Sequence, residues 1–181
     1  MSRFVKRSAS QAVKSGPARG GQSQSALPLP RFIPPQLSKP VEKPPSGPQW
    51  LHEIKLDGFR MAARIDYGRA QLLTRTGLDW TEKYPGAISA LANVKAKTAY
   101  LDGELCGVDG LGLPSFANTQ AATDGGRGVR LVYYAFDLLH LDGQDVSGLP
   151  LIERKALLER LIAEKPGLQF NGHEQAMANL S

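Results

Sequence analysis

Glu53-Ile54-Lys55-Leu56-Asp57-Gly58-Phe59-Arg60 is the stretch from which the rest of the chain is best interpreted. If residues 50–57 form a strand, alternate side chains point to opposite faces, so Glu53, Lys55 and Asp57 share one polar face. Gly58 permits a bend or a close backbone approach, and the chain then enters a second strand. The stretch therefore predicts two strands joined at a glycine, with a lysine between two carboxylates.

Lys55 can act as a nucleophile only if its amine first loses a proton. At the usual pKa of about 10.4, roughly one amine in 2,500 is neutral at pH 7, a handicap of about 4.6 kcal/mol. Neighbouring cations, a metal ion or burial would lower that pKa, whereas Asp57 alone would raise it. The alternative interpretation is that Glu53, Lys55 and Asp57 are only the solvated face of an amphipathic strand.

Length and composition predict one domain with a real core, since the chain has 181 residues and 41% of them are hydrophobic. No apolar run approaches the length of about 18 residues that suggests a membrane span, so no membrane association is expected. The single cysteine, Cys106, fits a reducing compartment such as the cytoplasm. His52, His140 and His173 are far apart in sequence, so no metal-ligand cluster is visible.

The positive charge is concentrated at the N-terminus. Residues 1–49 hold eight Lys and Arg, one acidic residue and nine of the thirteen prolines. We therefore expect a disordered basic tail over residues 1–26 and an extended Pro-rich strap over residues 27–49. The tail could tether the protein to nucleic acid, or it could be a solvating linker. Residues 50–165 would form the folded domain, and residues 166–181 have no assignable pattern.

The pattern after residue 58 alternates between strands and short helices. Strands are predicted at 59–66, 70–75, 98–108 and 131–139, and helices at 79–93, 114–122 and 150–163. Turns are expected at 67–69 and at Asp142-Gly143, while Asp102-Gly103 could be a hairpin turn instead of part of a strand. The result is an α+β fold built on an antiparallel sheet.

Three further residues are candidates for ligand binding. Arg75, within Thr74-Arg75-Thr76-Gly77, could hold a phosphate, or it could be an ordinary exposed arginine. Glu104 would share a strand face with Asp102 and could accept hydrogen bonds from a ribose. Phe136 could stack on a base, although core packing is the alternative.

The chain resembles ATP-dependent DNA ligases in four motifs and in their order. It looks most like the ligase domain of bacterial multidomain end-joining repair ligases, over about residues 27–162. The resemblance implies an α+β, antiparallel-sheet, ATP-grasp-like nucleotidyltransferase core, of which this chain contains the N-terminal half. The motifs are Glu53–Arg60, Thr74–Gly77, Leu101–Leu105 and Ala135–Leu139.

The resemblance also implies a reaction. Lys55 would attack the α-phosphate of ATP, form a lysyl-AMP intermediate and release pyrophosphate. The AMP would pass to the 5′-phosphate of nicked double-stranded DNA, and the 3′-hydroxyl would then displace it and seal the nick. Magnesium would offset charge on the phosphates, with unknown protein ligands. The implied roles are Glu53 beside the adenine, Ile54 as a further nucleotide-binding residue, Arg60 at the ribose or a phosphate, Arg75 at a phosphate, Glu104 at the ribose, Phe136 stacked on the adenine, and Asp57 and Gly58 as structural parts of the motif.

The chain departs from the family pattern after residue 140. Residues 140–181 contain neither a Glu-Gly-x-x-x-Lys segment nor a Lys-x-Lys segment, and no oligonucleotide-binding barrel follows. We therefore expect a C-terminally truncated ligase of bacterial DNA repair and recombination, near the nucleoid. It would be impaired alone, and a second chain could supply the missing half of the domain. One alternative is a non-catalytic remnant or split-enzyme subunit that binds DNA through its basic tail. The other is a GTP-using capping-type or RNA-ligase-type nucleotidyltransferase.

Overall fold

The computed structural model describes residues 2–5, 26–124, 128–162 and 165–175. These ranges contain ten strands, three α-helices and one 3-10 helix at Thr81–Lys83. The elements are β1 (Ser2–Val5), β2 (Leu51–Ile54), β3 (Phe59–Asp66), β4 (Arg69–Thr74), α1 (Pro85–Leu91), β5 (Thr98–Val108), β6 (Pro114–Ser115), α2 (Phe116–Thr123), β7 (Arg130–Leu141), β8 (Gln144–Asp145), α3 (Leu151–Leu161), β9 (Leu168–Phe170) and β10 (His173–Gln175).

Two sheets organise these strands. The larger sheet has the order β4-β3-β5-β7-β8, with β6 paired to β5 and β9 paired to β7. Its pairings are antiparallel except the one between β7 and β9. The smaller sheet has the order β1-β2-β10 and is antiparallel throughout. The expected α+β fold on an antiparallel sheet is confirmed.

The hydrophobic core lies between one face of the large sheet and the helices α1 and α3. It buries side chains of β3, β5 and β7 together with Leu91 of α1 and Leu158 of α3. The opposite face is covered by the proline-rich segment, where Phe32 and Ile33 pack near Tyr100. The Tyr100 hydroxyl accepts a hydrogen bond from the backbone N–H of Ile33 at 2.9 Å. The segment 27–49 contains no helix or strand and lies across the sheet.

Both predicted hairpin turns are present, and each uses two residues with positive φ. Tyr67 and Gly68 have φ values of 46° and 81°, and Asp142 and Gly143 have values of 45° and 85°. This is the backbone of a type I′ turn, which matches the twist of the flanking strands. Arg69 already belongs to β4, so the first turn is one residue shorter than predicted.

The predicted strand over residues 50–57 is wrong beyond Ile54, because β2 ends there and residues 55–58 belong to neither sheet. Leu56 is buried in a small cluster with Cys106 and Tyr134, which draws the chain out of β2 and toward β5. The predicted bend at Gly58 is confirmed. An added Cβ there would lie 2.3 Å from the carbonyl oxygen of Leu105, so only glycine allows this approach.

The strand predicted over residues 98–108 is confirmed as β5. It runs without a break from Thr98 to Val108, so the hairpin-turn alternative at Asp102-Gly103 is wrong. The pairing of β5 with β7 is irregular between these two residues, and an irregular register accommodates the Asp-Gly pair without turning the chain.

Other boundaries differ from the sequence expectation. The predicted helix over 79–93 divides into the 3-10 helix and α1, and that over 114–122 begins with the short strand β6. Residues 166–175, for which no pattern was assigned, contribute β9 and β10. Ser2–Val5 form a strand on the edge of β2 and are not disordered, while residues 6–25 of the expected tail lie outside the described residues. Among the helices of the described part, none could traverse a membrane.

Candidate active site

A cavity of about 390 Å³ opens beside β2, between the large sheet and the proline-rich segment. Its volume lies within the range of small-molecule sites, about 300–1,000 Å³. Five residues predicted to bind a nucleotide line it together: Glu53, Ile54, Arg60, Glu104 and Phe136. The other lining residues are Gln36, Leu37, Ser38, Lys39, Val41, Pro45, Trp50, Leu56, Asp137, Leu151 and Asn171.

Lys55 does not line this cavity. Its two sequence neighbours, Ile54 and Leu56, both do. The Lys55 ammonium donates to the Asp57 carboxylate, with Nζ 2.5 Å from Oδ1, and both side chains are exposed. This hydrogen bond, and then the positive charge of Lys55, lower the pKa of the Asp57 carboxyl. Lys55 is therefore an exposed, ion-paired lysine one residue from the cavity wall.

Gly58 ties the Lys55 segment to β5. Its backbone N–H donates to Oε1 of Glu104 at 3.0 Å. Glu104 is buried and lines the cavity, so one carboxylate both holds the backbone after Lys55 and faces the ligand space. The sequence predicted a ligand role for Glu104 but not this support of the neighbouring segment.

Arg60 is held by Asp102. The guanidinium makes two hydrogen bonds to this carboxylate, Nε to Oδ1 at 3.0 Å and Nη2 to Oδ2 at 2.6 Å. Its Cζ also lies 5.1 Å from the centroid of the Phe136 ring. Burial by itself would lower the pKa of Arg60, but the hydrogen bond and charge of Asp102, with the charge of Glu104, raise the pKa overall. Arg60 is a fixed cation beside an aromatic ring of the cavity wall.

Arg75, like Lys55, is a predicted site residue that does not line the cavity. It is exposed just after β4, the edge strand of the large sheet. It lines a separate small crevice that Arg60 also borders. Arg75 therefore does not share the cavity that Glu104 and Phe136 line, because β3 separates β4 from β5.

Two buried cations of α3 contribute to the site and were missed in the sequence. Arg154 makes two hydrogen bonds to Asp137, and Lys155 donates to the carboxylate of Glu53. A signal was available, because positions 151, 154, 155, 158 and 162 form one helical stripe and two of them are charged. A charged pair on an otherwise apolar stripe indicates buried partners.

The carboxylates around the cavity do not form a ready magnesium site. Glu53, Asp102 and Asp137 are each paired with a buried or half-buried cation, and Asp57 is paired with Lys55. No group of three or more His, Cys, Asp or Glu residues in the described ranges could hold a metal ion. The described residues therefore offer no resident site of three or more such ligands, whereas Mg²⁺ usually binds through one or two carboxylates together with substrate phosphates.

Comparison with known proteins gives one consistent family. A model of the "ATP dependent DNA ligase domain" family matches residues 35–177. The multifunctional non-homologous end joining protein LigD of Pseudomonas aeruginosa is 44% identical over 146 residues, which are 81% of this chain and 17% of that protein. The LigD protein of Mycobacterium tuberculosis is 38% identical over 113 residues, which are 62% of this chain and 14% of that protein. The chain thus spans less than a fifth of the length of these relatives.

Solved structures agree with the sequence matches. The crystal structure of the ligase domain of M. tuberculosis LigD aligns with a TM-score of 0.61 at 37% identity, covering 71% of this chain and 41% of that one. A mycobacterial DNA ligase D complexed with ATP and MES aligns with a TM-score of 0.56 at 34% identity, covering 68% and 39%. Because the family match extends over most of the chain and includes the Lys55 motif and the cavity, the chain belongs to the ATP-dependent DNA ligase domain family.

Proposed function

We propose that this chain binds ATP in the cavity beside β2 and accepts AMP on Lys55, as one step of DNA ligation. The observation that carries the proposal is that Glu53, Ile54, Arg60, Glu104 and Phe136 line one cavity whose wall includes both sequence neighbours of Lys55. The ATP complex of a mycobacterial relative supports the choice of nucleotide.

In this proposal the bond changes are those of phosphoryl transfer. The Lys55 ammonium first loses a proton to solvent, and the lone pair of the resulting amine forms a bond to the α-phosphorus of ATP. The bond from that phosphorus to the oxygen that bridges it to the β-phosphorus breaks and releases pyrophosphate, and the nitrogen loses a second proton to solvent to give the phosphoramidate. Lys55 now donates to Asp57, so this contact must open before the amine can attack. Magnesium would arrive on the ATP phosphates, and no protein step is assigned to it.

The chain's residues would hold the nucleotide in a definite orientation. The adenine would lie against Phe136 with Glu53 and Ile54 beside it, and Glu104 would face the ribose. Arg60, fixed by Asp102, would present positive charge near the ribose or a phosphate. Arg75 would contact a phosphate only if the ligand extends toward the crevice that Arg75 and Arg60 share.

Nick sealing is a separate part of the proposal. The chain covers 41% of the length of the solved M. tuberculosis ligase domain. We infer that transfer of AMP to the 5′-phosphate of nicked double-stranded DNA, and sealing by the 3′-hydroxyl, need further parts of that domain, in the same polypeptide or in a second chain. The cellular setting would be bacterial end-joining repair in the cytoplasm, at the nucleoid.

Covalent labelling tests the proposal. The chain is incubated with ATP labelled at the α-phosphate and with magnesium, and protein-bound label is measured after denaturing electrophoresis. We expect weak labelling of the wild type, none of Lys55→Ala, and unchanged labelling of Lys95→Ala, which removes another exposed lysine.

The other outcomes distinguish the alternatives. Label from GTP in place of ATP would favour a capping-type or RNA-ligase-type enzyme. Absence of label from either nucleotide, together with salt-sensitive DNA binding, would favour a non-catalytic DNA-binding role for the basic N-terminal residues. Repeated nick sealing by the isolated chain would refute the inference that further parts are needed.

A further inference from the structure

Lys155 of α3 is buried and joins three separate segments of the chain. Its side chain is 0% exposed. The ammonium donates to the Glu53 carboxylate of β2, to the Phe136 carbonyl of β7 at 3.2 Å, and to the Asn171 carbonyl between β9 and β10 at 2.9 Å. An ammonium has three N–H donors, so all three are used.

The three acceptor residues have one property in common that Lys155 lacks. Glu53, Phe136 and Asn171 all line the cavity, whereas Lys155 lies behind them. The ring of Phe170 lies 5.0 Å from the ammonium and contributes to its enclosure. One side chain outside the cavity therefore fixes three residues of its wall.

An apolar residue could occupy this helix position without the desolvation cost of a buried charge. Replacing a buried ion pair by well-packed apolar side chains is often neutral or stabilising, so general stability is a weak reason for an ammonium here. What the ammonium adds is direction, because its three N–H bonds diverge toward acceptors on β2, β7 and the β9–β10 connection. Such support is what holds a binding site close to its working geometry.

We propose that Lys155 is a positioning residue for the nucleotide site, acting chiefly through Glu53. It holds the Glu53 carboxylate at the cavity wall, and it fixes the backbone of Phe136 so that the ring keeps its place. The Glu53 and Phe136 side chains are then already in position when a nucleotide binds, so binding does not bear the entropic cost of ordering them. This inference rests on the proposed function, because the ligand is ATP.

ATP titration by calorimetry tests the role, since it reports the dissociation constant and the fraction of competent protein separately. We expect Lys155→Met to raise the dissociation constant roughly tenfold with the competent fraction unchanged, as is usual for loss of a contact between coupled residues. Arg160→Met removes an exposed cation from the same helix and should change the constant less than about twofold. In a Glu53→Gln background, Lys155→Met should have an effect below about threefold.

Lys155→Arg provides a second variant that retains the buried charge if Lys155→Met folds poorly. The planar guanidinium cannot direct its donors to the same three acceptors, so the dissociation constant should again rise, at least about fivefold. A constant equal to that of the wild type in Lys155→Arg would overturn the inference. The same holds if Lys155→Met lowers only the competent fraction or the melting temperature, or if its effect is equally large in the Glu53→Gln background.

Failure of the proposed function has a different signature. If the wild-type chain itself gives no heat of binding with ATP and magnesium, the proposed function fails and this inference fails with it. If the wild type binds ATP and Lys155→Met lowers only the competent fraction or the melting temperature, the proposed function stands and only the positioning role of Lys155 is refuted.

Discussion

Replacement of Arg154 by methionine should destabilise the fold more than any surface change. The guanidinium is 1% exposed and makes two hydrogen bonds to Asp137, at 2.7 and 3.1 Å, and two to the carbonyl groups of Ser147 and Leu149. Methionine fills a similar volume but leaves the Asp137 carboxylate without its guanidinium. Breaking a buried pair in this way costs about 3–5 kcal/mol, largely because one charge stays in a poorly solvated place.

The loss should be measurable in two independent ways. A typical domain has about 5–15 kcal/mol of stability, so this single change removes a large fraction of it. For a chain of this length, about 2–4 °C in melting temperature corresponds to 1 kcal/mol, which predicts a decrease of about 6–20 °C. Urea unfolding at pH 7.5 should give the same difference in free energy, with a shifted midpoint and an unchanged slope.

A second variant tests whether the Asp137 carboxylate is the cause of the stability loss in Arg154→Met. If the stability loss arises because the Asp137 carboxylate no longer has its guanidinium, Arg154→Met combined with Asp137→Asn should be more stable than Arg154→Met alone. Asparagine carries no charge and can still accept a hydrogen bond from the N–H of Leu138. A double variant no more stable than the single one, or a single-variant loss below about 1 kcal/mol, would refute the reasoning.

Three further predictions concern the Lys55 segment and the turn after β7. Gly58→Ala should lower the melting temperature and weaken ATP binding, because the new methyl group would lie 2.3 Å from the Leu105 carbonyl oxygen. Calorimetry that finds both quantities unchanged would contradict the close contact between Gly58 and the backbone of Leu105. Burial lowers the pKa of His140, whose Nε2 accepts a hydrogen bond from the N–H of Gly143, so the unfolded chain binds the proton more readily than the folded chain. The free energy of unfolding should therefore decrease as the pH falls through the ordinary value of 6.5. In urea titrations between pH 7.5 and 5.5, His140→Gln should reduce this dependence of the free energy on pH, and an unaltered dependence would contradict the prediction. Carbon-detected NMR titration should find the pKa of Asp57 below its ordinary value of 3.8 because of the hydrogen bond and charge of Lys55, and Lys55→Ala should raise that pKa.

The motif strands could be predicted because their patterns are local. The alternation in β5, the aromatic-rich apolar run in β7 and the turn at Asp142-Gly143 are visible in the sequence, and these elements bring Glu104 and Phe136 to one cavity. The bend at Gly58 could be predicted for the same reason. Resemblance then supplied the roles that periodicity cannot give.

The features that were not predicted from the sequence depend on contacts between residues that are distant along the chain. Burial of Leu56 against Cys106 ends β2 early and leaves Lys55 outside both sheets, and no pattern within the motif specifies that contact. The strand β9 has three residues, too few for a periodic signal, and it forms because it pairs with β7. The position of Lys155 on the apolar stripe of α3 indicates burial, but its partners Glu53, Phe136 and Asn171 come from three distant segments that no local pattern identifies.

The segment from Lys55 to Gly58 belongs to neither sheet, and this has a kinetic consequence. In the proposed reaction, movement of the Lys55 side chain would break its contact with Asp57 but no hydrogen bond between strands. Rotamer changes of exposed side chains take picoseconds to nanoseconds, far less than the time of a typical enzymatic turnover. If Lys55 accepts AMP as proposed, reorientation of its side chain should be a rapid pre-equilibrium, and the slow event should be proton loss or the transfer of AMP itself.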